Sequence, residues 1–201
     1  MNHLDGTRFP RSGRIVSASL TAGVVAIVLA LSGAPVAATS GGQANLAVAR
    51  AATARFHDLP AAQAAGYSVV VADLAGITCI DDPEMGAMGV HYLNLSLAPE
   101  LADPTAAAAV DATTPELLVY APGPNGQLRL VALEYLALRA NWDANHSAPP
   151  SLFGQTFDLT LAGNRYGLPD FYSLHAWIWD PNPIDMFAGF NPRVSCAAAA
   201  G

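Results

Sequence analysis

The segment spanning residues 116–138 constrains the fold of this chain more than any other. Residues 116–120 are rich in β-forming side chains, a Pro-Asn-Gly turn follows at 124–126, and residues 127–138 form a long alternating run. Two such runs joined by a tight turn pair as antiparallel strands. We therefore predict a β-hairpin over residues 116–138, within a mainly antiparallel sheet.

Helical signals come before this hairpin. Residues 46–56 are rich in Ala, the strongest helix former, and Asp58 is placed to cap a second short helix that stops at Gly66. After Gly66 the chain shows strand-like runs separated by Gly, Pro, Asn and Asp; they cover residues 67–72, 90–97, 157–161 and 171–179. Residues 102–112 fit either a short helix or an Ala-rich loop.

This order of elements predicts one α+β domain over residues 46–196, with helices leading and the sheet following. A flexible lead-in is expected at 39–45 and a disordered tail at 197–201. The composition supports a folded core, since 52% of the residues are hydrophobic and 12% are charged. All nine basic residues are Arg, against sixteen acidic residues, so no basic stripe is available to bind nucleic acid.

The first 38 residues resemble a secretory signal. Arg8, Arg11 and Arg14 precede an uncharged apolar run at 15–31, and small residues lead to a cleavage site after Ala38. An uncleaved membrane anchor is the alternative, although the run is at the short limit of the length needed to span a membrane. Cleavage would release a protein without a membrane segment into the medium or the cell envelope. The sequence indicates no oligomeric state.

Two cysteines, Cys79 and Cys196, lie in the predicted domain. An even count in an exported chain implies a disulfide, and only one pairing exists. A pair of soft metal ligands is the alternative, although neither Cys has another Cys or a His close by in sequence.

Three polar residues fall on strand faces that are otherwise apolar. In the run at 127–138, Glu134 is the only charge on the face formed by residues 128, 130, 132, 136 and 138. His91 shares its face with residues 93, 95 and 97, and His175 with residues 171, 173, 177 and 179. A buried carboxylate must be paired, protonated, metal-bound or beside water.

Two imidazoles and one carboxylate from three strands form a ligand set for Zn, Fe or Mn. We therefore expect His91, Glu134 and His175 to hold a metal ion or a small ligand. His57 is a candidate fourth ligand, and Trp177 and Trp179 are candidate pocket walls.

Two other interpretations remain open. In a structural or interaction domain, the histidines would bond to backbone within a buried polar network, and Glu134 would pair with Arg129 or Arg193. In a metal-dependent hydrolase or oxygenase, Glu134 would be a general base instead of a ligand. The sequence does not decide whether the protein is an enzyme.

Five blocks carry a family resemblance: GAMGVHY at 86–92, PELLVYAP at 115–122, LRLVALEY at 128–135, LHAWIW at 174–179 and NPRVSC at 191–196. Together with a short helical opening at 57–67, they resemble a family of uncharacterised exported bacterial proteins, actinobacterial in particular. The resemblance covers most of residues 50–196. It implies secretion and a single domain, and it places His91, Glu134 and His175 inside the recurrent blocks, but it implies no activity.

Overall fold

The computed structural model describes residues 40–197. The predicted signal sequence at 1–38 lies outside the described residues, as do Thr39 and residues 198–201 of the predicted tail. None of the helices in the described part of the chain has the length and apolar character needed to cross a membrane.

The chain opens with the predicted helical pair. Helix α1 spans Ser40–Thr53, a 3-10 turn spans Ala54–His57, and helix α2 spans Leu59–Ala64. Asp58 stands at the N-cap of α2, although its side chain makes no capping hydrogen bond.

The flexible lead-in expected at 39–45 is wrong for the residues that the structure describes, because α1 already begins at Ser40. Gly42 is buried where a Cβ atom would approach the Phe153 carbonyl oxygen to 2.6 Å. This contact comes from a residue far along the chain, so local composition could not reveal it.

Among the described residues, seven strands form an antiparallel sheet: β1 (Val69–Val70), β2 (Cys79–Asp82), β3 (Gly86–Leu93), β4 (Leu117–Pro122), β5 (Leu128–Leu138), β8 (Asp158–Thr160) and β9 (Phe171–Ala176). Their order is β1-β3-β4-β5-β9-β8, and β2 pairs with the same edge of β3 as β1 does. A separate small hairpin joins β6 (Ser151–Leu152) to β7 (Gln155–Thr156), and helix α3 spans Arg139–Asp143. The α+β class and the β4–β5 hairpin are therefore confirmed.

A bulge in β5 corrects the predicted face of that strand. Val119 pairs with Ala132 while its neighbour Tyr120 pairs with Leu130, so Val131 is an extra residue. An extra residue shifts the alternation of side chains by one position. Residues 128 and 130 consequently pack with Leu133 on one face, and Glu134 shares the other face with residues 132, 136 and 138.

Several predicted elements are shorter than expected. The run at 67–72 contains only the two residues of β1, and β3 ends at Leu93, so residues 95 and 97 do not share a face with His91. Strand β9 ends at Ala176, which leaves Trp177 and Trp179 beyond it. Residues 102–112 form turns and loop, not a helix. After β1 and β3 the chain turns at Asp73 and Asn94, whose side chains each accept a hydrogen bond from the backbone N–H two residues on.

The two faces of the sheet have different coverings. The helices pack on the first face in a large core that includes Leu46, Phe56 and Tyr135. The second face carries two smaller apolar clusters, one containing Val119 and Trp177, the other containing Leu136 and its neighbours. His91, Glu134 and His175 belong to neither cluster.

The predicted disulfide is present. Cys79 of β2 bonds to Cys196 near the end of the described chain, with the Cα atoms 5.7 Å apart and 117 positions between them in sequence. It therefore ties the C-terminal segment to the β2 edge of the sheet.

Candidate metal centre

Strand pairing places the three polar residues side by side. Glu134 of β5 lies directly opposite His175 of β9. His91 of β3 is aligned with Val119 of the intervening β4, which in turn pairs with Ala132 of β5. His91 therefore stands two strands from Glu134, a backbone separation of roughly 10 Å that the two long side chains close above the sheet.

The donor atoms of this cluster lie at short mutual distances. Nε2 of His91 is 3.2 Å from Nε2 of His175 and 3.3 Å from Oε2 of Glu134. Nδ1 of His175 is 3.6 Å from Oε1 of Glu134. Two ligands each about 2.1 Å from one ion, at tetrahedral to octahedral angles, are themselves roughly 3.0 to 3.4 Å apart. The two contacts of His175 use different ring nitrogens, Nε2 toward His91 and Nδ1 toward Glu134. With one donor atom taken from each residue, all three lie within 4.8 Å of one another, so small side-chain rotations would bring them to the spacing of ligands around a single cation.

All three groups are withdrawn from water. The side chains of both histidines are 4% exposed and that of Glu134 is 11% exposed. Burial lowers the pKa of His91 to about 4 and, together with the neighbouring His91, that of His175 to about 3. Burial raises the pKa of Glu134 to about 8. At neutral pH without a cation, the trio is therefore two neutral imidazoles and a protonated carboxyl group.

The orientation of His91 suits metal binding. Its Nε2 faces the other two residues. The backbone of Gly89 partly offsets the lowering of the His91 pKa by burial. Gly89 adopts φ +110°, and a Cβ atom there would lie 2.6 Å from the Tyr120 carbonyl oxygen, so this position requires glycine.

A cavity of about 280 Å³ borders the cluster, and two of the three residues, His91 and Glu134, form part of its wall. The other lining residues are apolar apart from the hydroxyl of Tyr166: Val69, Val70, Val71, Ala72, Leu93, Leu101, Leu117, Leu136, Tyr166, Leu168 and Phe171. His175 does not line the cavity; its ring stacks against Trp177 with the centroids 6.1 Å apart. The candidate site therefore has one apolar side open to a small molecule.

Other predicted site residues lie elsewhere. His57 is exposed and packs edge-on against Trp179, with the ring centroids 4.4 Å apart. Neither residue lines the cavity, and Trp179 packs with the helical face of the sheet. The structure thus brings together His91, Glu134 and His175, with Trp177 alongside, and places His57 and Trp179 apart from them.

Neither of the arginines proposed as partners of Glu134, Arg129 and Arg193, pairs with it in the described part of the chain. Arg129 pairs with Asp180 at 2.5 Å. Among residues 40–197, the basic side chains within 4 Å of the Glu134 carboxyl group are those of His91 and His175 alone. The arginine pair expected for a purely structural Glu134 is therefore wrong for this part of the chain.

Two buried acids near the site were not predicted from the sequence. The pairing between β4 and β5 ends at Glu134. Beyond that point, the backbone N–H of Leu136 donates to Glu116 and that of Leu138 donates to Glu100. Burial raises the pKa of both carboxyl groups, that of Glu116 to about 8. The carboxyl groups of Glu116 and Glu100 thus accept hydrogen bonds that a neighbouring strand would otherwise accept. No local sequence motif predicts this role.

Comparison with known proteins adds no relative. No protein-family model, curated protein or solved structure matches this chain. Function is therefore inferred from the geometry of the site.

Proposed function

We propose that this protein is an exported metal-binding protein that holds one divalent first-row cation through His91, Glu134 and His175. The observation that carries the proposal is the convergence of three donor atoms from three separate strands on one buried point beside a cavity. Imidazole and carboxylate together suit Zn²⁺, Fe²⁺ and Mn²⁺.

The energetic balance favours a cation over a purely structural network. Burial shifts the pKa of each of the three groups toward its uncharged form, and no arginine pairs with the carboxylate among the described residues. Burying ionisable groups without compensation destabilises the fold. A divalent cation would compensate all three at once and stabilise the folded state in proportion to its saturation.

We assign Glu134 as a ligand instead of a general base. Zinc sites that catalyse reactions keep three protein ligands and one open position. If Glu134 were only a base, the described cluster would offer two histidines, which is one ligand too few.

Metal analysis of the protein purified without chelator tests the proposal. The comparison includes His91→Asn, Glu134→Gln and His175→Asn single variants, and His57→Ala as the matched control, because His57 is an exposed histidine outside the cluster. We expect about one equivalent of metal in the wild type and in His57→Ala, and far less in the three site variants. Circular dichroism confirms that each variant is folded.

Equal metal content in folded site variants and wild type would reject the site. So would a wild-type protein that takes up no Zn²⁺, Fe²⁺ or Mn²⁺ and whose melting temperature is unchanged by each. In that case the 3.2 Å contact between the two imidazoles is a structural hydrogen bond, and the domain is a structural or interaction module.

Export and family membership are part of the same proposal. Support for export comes from the signal-like residues 1–38 and from the Cys79–Cys196 bond, which is typical of oxidising compartments. The recurrent blocks around His91, Glu134 and His175 support membership of the exported bacterial family that they resemble. Detection of the mature chain in the medium or envelope fraction would test export directly.

A further inference from the structure

The cavity beside the candidate metal centre has a definite chemical character. Its walls come from β1, the 3-10 turn at Pro99–Leu101, the central strands and the segment 166–171, and they are almost entirely apolar. A cavity of about 150 Å³ can hold benzene. At about 280 Å³, this one has room for an aromatic ring with a short substituent.

The net charge of the metal site indicates the charge of one end of the bound molecule. A divalent cation bound by the single carboxylate of Glu134 leaves one net positive charge in a buried site. No arginine or acidic residue other than Glu134 lines the cavity among the described residues. Charge in such surroundings is stabilised strongly by an opposite charge at short distance.

An open coordination position on the cation would allow direct contact between the cation and a molecule in the cavity. Three protein ligands leave at least one position on a first-row cation for an added ligand. Since His91 and Glu134 both form part of the cavity wall, a molecule in the cavity lies next to the cation.

Building on the proposed metal site, we infer that the cavity binds a small apolar molecule with a single anionic oxygen head group, such as an aromatic or branched-chain carboxylate. The head group would bind the cation, and the apolar body would lie against residues such as Leu117, Leu136 and Phe171. The observations therefore define a class of ligand by its size, its one negative charge and its apolar body.

Calorimetry with phenylacetate tests this inference on the full domain loaded with Mn²⁺. Phenylacetamide is the neutral comparison of nearly the same shape. We expect phenylacetate to bind the Mn²⁺ form at least about tenfold more tightly than phenylacetamide, and to lose that advantage when the cation is removed. By linkage, phenylacetate must raise the affinity for Mn²⁺ by the same factor as Mn²⁺ raises the affinity for phenylacetate.

A cavity variant with a matched control locates the binding. Leu168 lines the cavity and is half-buried, whereas Leu161 is 60% exposed and does not line it. Leu168→Trp should weaken phenylacetate binding by about tenfold or more through filling the cavity, while Leu161→Trp should leave it unchanged within about twofold. Uptake of Mn²⁺ by each variant verifies that the metal site is intact. The mutual effect of phenylacetate and Mn²⁺ on each other's affinity is measured on the wild type, so that test does not depend on whether a variant folds.

The outcomes separate the two proposals. If the protein takes up no cation, the proposed function fails, and this inference fails with it. If the cation binds but phenylacetate and phenylacetamide bind equally or not at all, only the inference is overturned. Unchanged phenylacetate affinity in a folded, Mn²⁺-loaded Leu168→Trp variant would also overturn it.

Discussion

Cation binding should expel close to one proton from this site at neutral pH, and that proton should come from Glu134. Without a cation, the pKa of Glu134 is raised to about 8, whereas the pKa values of His91 and His175 are lowered to about 4 and about 3. A metal ion requires the carboxylate and both imidazole lone pairs. Both imidazoles are already neutral at pH 7, so only the carboxyl group must lose a proton.

The magnitude follows from these values. At pH 7 a carboxyl group with a pKa of about 8 is protonated in roughly nine molecules out of ten, so about 0.9 proton is released per cation. The affinity should rise about tenfold per pH unit from pH 5 to pH 8 and level off above that. Solvent-exposed groups with ordinary pKa values would release only about half a proton at pH 7, all of it from histidine.

Calorimetric titration with Mn²⁺ in several buffers of different ionisation enthalpy counts the released protons. Mn²⁺ is the suitable cation because its bound water is a weaker acid than that of Zn²⁺ and adds no proton of its own. Glu134→Gln, titrated with enough Mn²⁺ to fill its weakened site, is the control, since an amide has no proton to lose on binding. A release near zero in the wild type, or an undiminished release in Glu134→Gln, would refute the assignment.

Three further predictions concern stability in the metal-free protein. Because burial raises the pKa of Glu116 from 4.5 to about 8, its contribution to stability is fully present below pH 4.5 and is lost as the pH rises through 8. Relative to Glu116→Gln, the free energy of unfolding of the wild type should therefore fall by on the order of 1 kcal/mol per pH unit across that window, as measured by urea unfolding. Parallel curves of unfolding free energy against pH for the two proteins would disprove this linkage. In the same urea unfolding, Gly89→Ala should destabilise the fold by about 2 kcal/mol or more, because its positive φ and the nearby Tyr120 carbonyl both oppose a Cβ atom. Gly163 has a positive φ but open space around it, so Gly163→Ala should cost only the backbone strain. Equal losses in the two variants would contradict the role of the carbonyl contact. Reduction of the Cys79–Cys196 bond should lower the free energy of unfolding by on the order of 5 kcal/mol because the closed loop is long, and an unchanged melting temperature under reducing conditions would contradict this.

Local pattern and composition determined the main features of the fold. The Pro-Asn-Gly turn between two β-rich runs gave the β4–β5 hairpin, and the presence of only two cysteines gave the disulfide pairing. Period-two alternation also identified Glu134 as a charge among apolar neighbours. These features depend on residues close in sequence or on simple counting, which is why they could be read without coordinates.

Tertiary structure decided the details of the site. The bulge at Val131 changed which residues share a face with Glu134, and strand order brought His91 to it across β4. The cavity needed Tyr166 and other residues from distant turns, and Glu116 acquired its role because β5 extends past its partner strand. Each of these results depends on which distant segments pair and where the pairing stops, and no local period in the sequence encodes that.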